Sequence, residues 1–255
     1  MSVVRPRTVP LTGRQQRGEV CGRWAAGPFR TGGKCMLVAD FDGTITRQDS
    51  NALLVEVFGG QYNQEIERLY IAGQMGTREA MAKHFANLHL TEQQYIDFIL
   101  REIEIDPGFP EFCRNAQKYG LPLAVVSGGY VNAIEAVFRR EGLPLPAVHA
   151  NRLVFTPQGI RNEFYHEEPD CAMDFGPCGN CKAEHVRRYK QEYGHVVFIG
   201  DGLTDRCGAR WADTVFAKGR LAAYCEENDL PYTKFEDFAE LNQLFFGRVS
   251  DEYSC

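Results

Sequence analysis

The sequence predicts an α/β fold in which a parallel sheet is flanked by helices, with a helical segment inserted and a small β-hairpin added. Three observations carry this. Short apolar runs alternate with helix-like segments after residue 35; two of the runs end in paired acids next to glycine; and the 85-residue interval from Asp42 to Ser127 reads as mainly helical. In order, Met36–Phe41 is a buried strand ending in acids. A helical stretch runs from about Ser50 to Ile105, with Thr77 as an N-cap and Thr91 with Gln94 as a capping box. Pro122–Val126 is a second core strand ending at Ser127-Gly128-Gly129, and a helix follows from Tyr130 to Arg140. Val148–Phe155 and Ile160–Tyr165 flank Thr156-Pro157-Gln158-Gly159 as a hairpin. Lys182–Tyr193 reads as helix, His195–Gly200 as a third buried strand and Val215–Ala217 as a fourth. Helices are expected over Thr204–Ala212 and much of 219–246.

Composition narrows the class. With 44% hydrophobic and 24% charged residues the chain is globular, and no run of about 18 apolar residues is present to span a membrane. Residues 1–35 carry seven basic residues against Glu19, and the remaining 220 carry 21 basic against 33 acidic. The body is therefore acidic, which argues against a broad nucleic-acid-binding face and suits a site that holds a cation. Residues 1–35 mix Arg, Gly and Pro without periodicity and read as a basic, disordered extension. An extended start, a functional basic arm and a targeting peptide all remain open for it. Nine cysteines with no signal-peptide-like apolar run fit a reducing cytoplasm.

The chemistry concentrates at strand ends. In Leu37-Val38-Ala39-Asp40-Phe41-Asp42-Gly43-Thr44, Asp40 and Asp42 are two apart and share one side of an extended backbone. Buried carboxylates are costly unless a counter-charge or metal meets them. Strand C-terminal ends are where open α/β sheets bind ligands. A second acid pair lies in Gly200-Asp201-Gly202-Leu203-Thr204-Asp205. Four converging carboxylates would repel one another, whereas Mg²⁺, a hard ion, would turn them into a site. Val126-Ser127-Gly128-Gly129 adds a hydroxyl and backbone N–H groups that suit an anion.

These segments resemble the four signature motifs of the haloacid dehalogenase-like (HAD) phosphohydrolase superfamily over residues 36 to about 217: Asp40-Phe41-Asp42-Gly43-Thr44, Ser127, Lys182 and Gly200 to Asp205. The resemblance implies a Rossmann-like core at 36–48 and 121–255, with a helical C1-type cap at 49–120. It further implies a Mg²⁺-dependent phosphatase acting on a small phosphorylated metabolite. Asp40 would be the nucleophile and form an aspartyl-phosphate, and Asp42 the general acid and base. Thr44, Ser127, Gly128 and Lys182 would bind the phosphoryl group. Asp40, the Asp42 carbonyl and Asp201 would hold Mg²⁺, with Asp205 a ligand or one layer removed. Within the superfamily the chain resembles the branch of phosphoserine phosphatase, the phosphoethanolamine/phosphocholine phosphatases and the methionine-salvage phosphatase acting on 2-hydroxy-3-keto-5-methylthiopentenyl-1-phosphate. The last is approached most nearly, through Cys178-Gly179-Asn180-Cys181-Lys182 ahead of motif three. Asp49 falls where phosphoserine phosphatases meet a substrate amino group, and equally suits a helix cap beside Ser50.

Several bland alternatives stand beside these expectations. The lobe aromatics Phe58, Tyr62, Tyr70, Phe85, Tyr95 and Phe98 are expected in the lobe core. His166, Cys171, Cys178 and Cys181 could supply Zn²⁺ ligands, but a single Cys-x-x-Cys with otherwise irregular spacing favours a structural loop. A non-catalytic sensor of phosphate ligands and a phosphomutase on the same scaffold are the competing functions. The sequence leaves the oligomeric state and the exact substrate open.

Overall fold

The structure is a computed structural model, and it describes residues 34–166 and 177–247. Nearly all of the basic segment, and Cys171, lie outside the described residues. Seven strands form one sheet in the order β4-β3-β2-β1-β5-β6-β7, parallel throughout except for the β3–β4 hairpin. The strands are β1 Cys35–Ala39, β2 Leu123–Tyr130, β3 Ala147–Thr156, β4 Gly159–Glu163, β5 His195–Gly200, β6 Thr214–Ala217 and β7 Thr233–Lys234. The helices are α1 Ser50–Phe58, α2 Gly60–Ile71, α3 Thr77–Ala86, α4 Glu92–Glu102, α5 Phe109–Lys118, α6 Val131–Arg140, α7 Lys182–Tyr193, α8 Arg206–Ala209, α9 Gly219–Glu227 and α10 Phe238–Phe246.

Both faces of the central strands are buried, as a parallel sheet covered by helices requires. Along β1 the side chains alternate: Cys35, Leu37 and Ala39 join one core, and Met36 and Val38 join the other. Val197 and Ile199 of β5 face the first, Val196 and Phe198 the second. The register sets the site. Ala39 lies opposite Val125 on one side and Ile199 on the other, so the residues just beyond Ala39, Val126 and Gly200 share one edge.

Local structure departs from the sequence expectation in ways that have physical causes. β1 stops at Ala39 rather than Phe41, because after Asp40 the chain turns sharply through Gly43 at φ 75°, a region that favours glycine. β2 does not end at Val126. It continues to Tyr130 with a register shift between Val126 and Tyr130, so Ser127-Gly128-Gly129 forms a bulge rather than a helix-opening loop. Thr77 is the first residue of α3, with Gly76 in the cap position and no side-chain cap. The Thr91–Gln94 capping box at α4 is present with both hydrogen bonds. The segment after Asp201 is shorter in helix than expected, one 3₁₀ turn at Leu203–Asp205 followed by α8, and β7 adds a strand that no periodicity signalled.

Between β1 and β2 the helices divide by what they pack against. Tyr95, Phe98 and Ile99 of α4 are buried in the same core as β1. Phe109 and Phe112 of α5 meet Phe238 of α10 edge-on at 4.9 and 5.1 Å between centroids. Ile66, Met75 and Ala80 of the α2–α3 pair form a separate small core. Phe85, Tyr95 and Phe98 are buried, whereas Phe58 and Tyr62, also expected in the lobe core, are exposed at 40% and 53%.

Candidate active site

At the sheet's carboxyl edge, Lys182 lies between two carboxylates. Its ammonium is 2.7 Å from Asp40 Oδ1 and 2.5 Å from Asp205 Oδ1, and all three side chains are buried. Lys182 opens α7 directly after Cys181, which brings a helix start up to the end of β1. Asp205 Oδ2 accepts hydrogen bonds from the backbone N–H groups of Asp201 and Gly202, at 3.0 and 2.7 Å. Both of its oxygens are thereby committed, and it acts as a brace for the β5 end. Asp201 Oδ1 accepts from the Thr44 hydroxyl at 2.6 Å. Gly43 is required beneath it, since a Cβ there would fall 2.6 Å from Asp201 Oδ2.

Asp42 is held by a separate set of contacts. The Ser50 backbone N–H donates to its Oδ1 at 2.8 Å and the Asn51 side chain to its Oδ2 at 3.4 Å. Gly129 comes so close from β2 that a Cβ would lie 2.4 Å from Asp42 Oδ2. Ser127 is buried, and its hydroxyl accepts from the Gly129 N–H at 2.9 Å.

The electrostatics follow from one ammonium facing several acids. Burial, then Asp205, pushes the Asp40 carboxyl well above the ordinary carboxylate range, against the pull of Lys182. Burial and Asp49 raise Asp42 to about 7. Burial and Asp205 raise Asp201 to about 6. Burial alone would lower the Lys182 ammonium, but Asp205 and Asp40 outweigh it and hold the group charged. Ligand oxygens of Asp40, Asp201 and Asp205 lie within 4.8 Å of one another. Such a set, short of positive charge, fits a small divalent cation that binds through one or two carboxylates and completes its shell with water or phosphate oxygens.

A cavity of about 1080 Å³ opens over these groups, floored by Asp40, Asp42, Ser127, Gly128, Gly129 and Asp201 and walled by α1, α2 and α3. Val55, Met81 and Phe85 supply an apolar stretch of wall; Glu56, Glu67 and Arg68 supply charge. Of the residues singled out in the sequence, Asp40, Lys182, Asp201 and Asp205 are in one cluster, with Asp42, Ser127 and Gly128 on the same cavity floor. Thr44, expected at the phosphoryl group, instead commits its buried hydroxyl to Asp201. The Asp42 side chain stands outside the cluster of Asp40, Asp201 and Asp205, where its carbonyl rather than its carboxylate was expected to meet the ion. Asp49 lines the cavity and caps α1, accepting from the N–H groups of Asn51 and Ala52.

Among the described residues, the possible zinc ligands do not gather into a set. His166 Nδ1 accepts from the Cys181 backbone N–H at 3.0 Å and its Nε2 lies 3.1 Å from Glu184, so both ring nitrogens are already engaged. Cys178 Sγ contacts the Asn180 carbonyl, and Cys171 lies outside the described residues. Sequence reasoning also passed over Asn51, Asn151, Asn180 and His185, each of which holds part of the site.

A mostly parallel sheet with paired acids at the ends of β1 and β5, a buried lysine between them and a helical wall above defines an α/β protein whose site is built to hold an anion beside a cation. Comparison with known proteins narrows it. The family model of the haloacid dehalogenase-like hydrolases matches residues 37–210. The 2-hydroxy-3-keto-5-methylthiopentenyl-1-phosphate phosphatase of Brevibacillus brevis is 31% identical over 213 residues, covering 83% of this chain and 95% of that protein. Pdp3-interacting factor 1 of Schizosaccharomyces pombe is 31% identical over 224 residues, covering 82% and 95%. A solved phosphoserine phosphatase carrying a phospho-aspartyl intermediate analogue superposes with a TM-score of 0.61 at 19% identity, over 82% of this chain and 97% of that one, a likeness of fold. The chain belongs to the haloacid dehalogenase-like hydrolase family, and within it is a phosphoric monoester hydrolase. Among the described residues no helix is long and apolar enough to cross a membrane.

Proposed function

We propose that this protein hydrolyses a small-molecule phosphomonoester through an aspartyl-phosphate on Asp40, with residues 50–87, the part of the expected 49–120 cap that walls the cavity, acting as the lid over the reaction. The observation that carries this reading is the buried Lys182 ammonium held between Asp40 and Asp205 at the edge where β1 and β5 end beside the β2 bulge. Lys182 pairs with Oδ1 of Asp40, leaving Oδ2 to attack phosphorus. The P–O bond to the leaving group breaks as the new one forms, and Asp42, raised to about 7, gives the departing oxygen its proton. Water then attacks the phosphorus of the acyl phosphate; Asp42 takes a proton from that water, and Asp40 and inorganic phosphate are released. Ser127 and the backbone of the 127–129 bulge face the phosphoryl oxygens, while Lys182 offsets their charge. Mg²⁺, held by Asp40, Asp201 and the Asp42 carbonyl with Asp205 bracing them, would supply charge neutralisation to the phosphoryl group.

For the substrate we favour 2-hydroxy-3-keto-5-methylthiopentenyl-1-phosphate, on two supports. The Brevibacillus relative bears that name at 31% identity, and Val55, Met81 and Phe85 offer an apolar wall to a thioether tail. The test is phosphate release from that ester, phosphoserine, phosphocholine and phosphoethanolamine side by side. Asp40→Asn should abolish turnover while the protein stays folded; undiminished turnover would overturn the reading. Folded, metal-binding protein that hydrolyses none of a broad ester panel would instead favour a phosphate sensor.

A further inference from the structure

The bulge that presents Ser127 interrupts the β2–β3 ladder. Val126 pairs with His149 and Tyr130 with Asn151, so three β2 residues stand opposite Ala150 alone. Backbone carbonyls at such a gap, buried beneath a helical layer, need other donors. Two asparagines provide them. The Asn180 side-chain NH₂ donates to the carbonyls of both Ser127 and His149, each at 2.8 Å, and the Asn151 NH₂ donates to the Gly128 carbonyl at 2.8 Å. Both asparagines are fully buried. The Asn180 amide is itself oriented, because its Oδ1 lies 2.7 Å from His185 Nε2. With both NH₂ protons directed at carbonyls, Oδ1 must be the acceptor and His185 must carry its proton on Nε2. The other ring nitrogen, Nδ1, is buried without a partner, consistent with a neutral ring. Burial also holds the His185 pKa down, to about 3.

Asn180 lies two residues before Lys182, so one short segment sets both the phosphoryl-facing bulge and the lysine. We infer that Asn180, with its amide locked by His185, is a positioning residue that holds Ser127 in register with Lys182 for phosphoryl binding. The inference rests on the phosphatase reading above. Its weight comes from geometry: a misplacement of about 1 Å at a reacting centre costs on the order of 100-fold in rate.

The test is a double-mutant cycle on the full chain with Mg²⁺ and p-nitrophenyl phosphate. Asn180→Ala should lower kcat/KM by about 10–100-fold and weaken competitive inhibition by inorganic phosphate. It should have little further effect in a Ser127→Ala background, because Asn180 acts by placing the Ser127 hydroxyl that this background lacks. His185→Leu should follow Asn180→Ala, and His185→Gln, which keeps an N–H donor, should recover most of the loss. Multiplicative effects of Asn180→Ala and Ser127→Ala, or a loss under twofold, would overturn the inference. Should Asn180→Ala fail to fold, the two His185 variants decide alone: equal activity in both would overturn it. If the wild type hydrolyses no ester, the functional reading has failed, and titration of wild type and Asn180→Ala with inorganic phosphate still tests positioning; equal affinity would overturn it.

Discussion

Replacing Gly129 with alanine isolates the contact between the β2 bulge and the proposed acid/base. The added Cβ would lie 2.4 Å from Asp42 Oδ2, 3.0 Å from Asn51 Nδ2 and 3.2 Å from Ser127 Oγ. Ordinary contact begins near 3.4 Å, so the carboxylate or the bulge must move by about 1 Å. Asp42 has little room to yield, since the Ser50 N–H holds its other oxygen at 2.8 Å. Moving the bulge instead would carry Ser127 with it, through the Gly129 N–H to Ser127 hydroxyl bond. Either response displaces a group proposed to meet the phosphoryl unit, and a shift of that size costs on the order of 100-fold in kcat/KM. The stability cost of overpacking is smaller, about 1–3 kcal/mol, a fall of roughly 2–12 °C in Tm. The assay pairs steady-state hydrolysis of p-nitrophenyl phosphate with thermal unfolding followed by circular dichroism. Gly129→Ala protein that keeps more than half of wild-type kcat/KM would refute the claim that this close approach sets the Asp42 position.

Other outcomes follow from the same packing. Lys182→Met leaves Asp40 and Asp205 buried without their shared cation; metal-free protein should lose about 3–5 kcal/mol in urea unfolding, and turnover should fall at least 100-fold. Equal urea midpoints for the two proteins would show that the ammonium does not compensate these acids. Removing Mg²⁺ with a chelator should lower Tm, because three crowded acids then face one ammonium. At about 100 times its Kd the ion should contribute about 2.7 kcal/mol, an effect that Asp201→Asn should diminish in a differential scanning measurement. Phe112→Ala removes a fully buried ring that meets Phe238, Phe245 and Phe246, and should cost about 3–5 kcal/mol by chemical denaturation while leaving KM at low temperature unchanged. A changed KM would place α5 in contact with the substrate lobe.

The strand-end acids were legible because their signal is local. An apolar run that buries a strand cannot end in two carboxylates without a compensating role, and this is visible within eight residues at Asp40 and again at Asp201. Ser127 was legible as a strand-end hydroxyl, but its bulge was not. Ser-Gly-Gly reads as a strand terminus, and only the pairing of Tyr130 with Asn151 reveals that the strand resumes. Tyr62 fits a lobe core by hydrophobicity, yet α2 turns it outward, and Phe58 is half-exposed while its ring meets Phe98 edge-on, choices made by how the helices pack rather than by residue type.

By itself, the sequence determined the central strands and the acids and serine at their ends, because each is set by neighbours a few positions away, whereas Lys182 entered only through the order of the motifs. The tertiary structure alone decided which of them share a charge, and what supports them. Lys182 meets Asp40 because the start of α7 docks at the end of β1. Thr44 turns to Asp201 because Gly43 lets that carboxylate close over it. Asn180 reaches Ser127 across 53 residues of chain because a bulge left carbonyls without partners. Hydrogen bonds of that span depend on three-dimensional satisfaction of buried polar groups, and no periodicity records them.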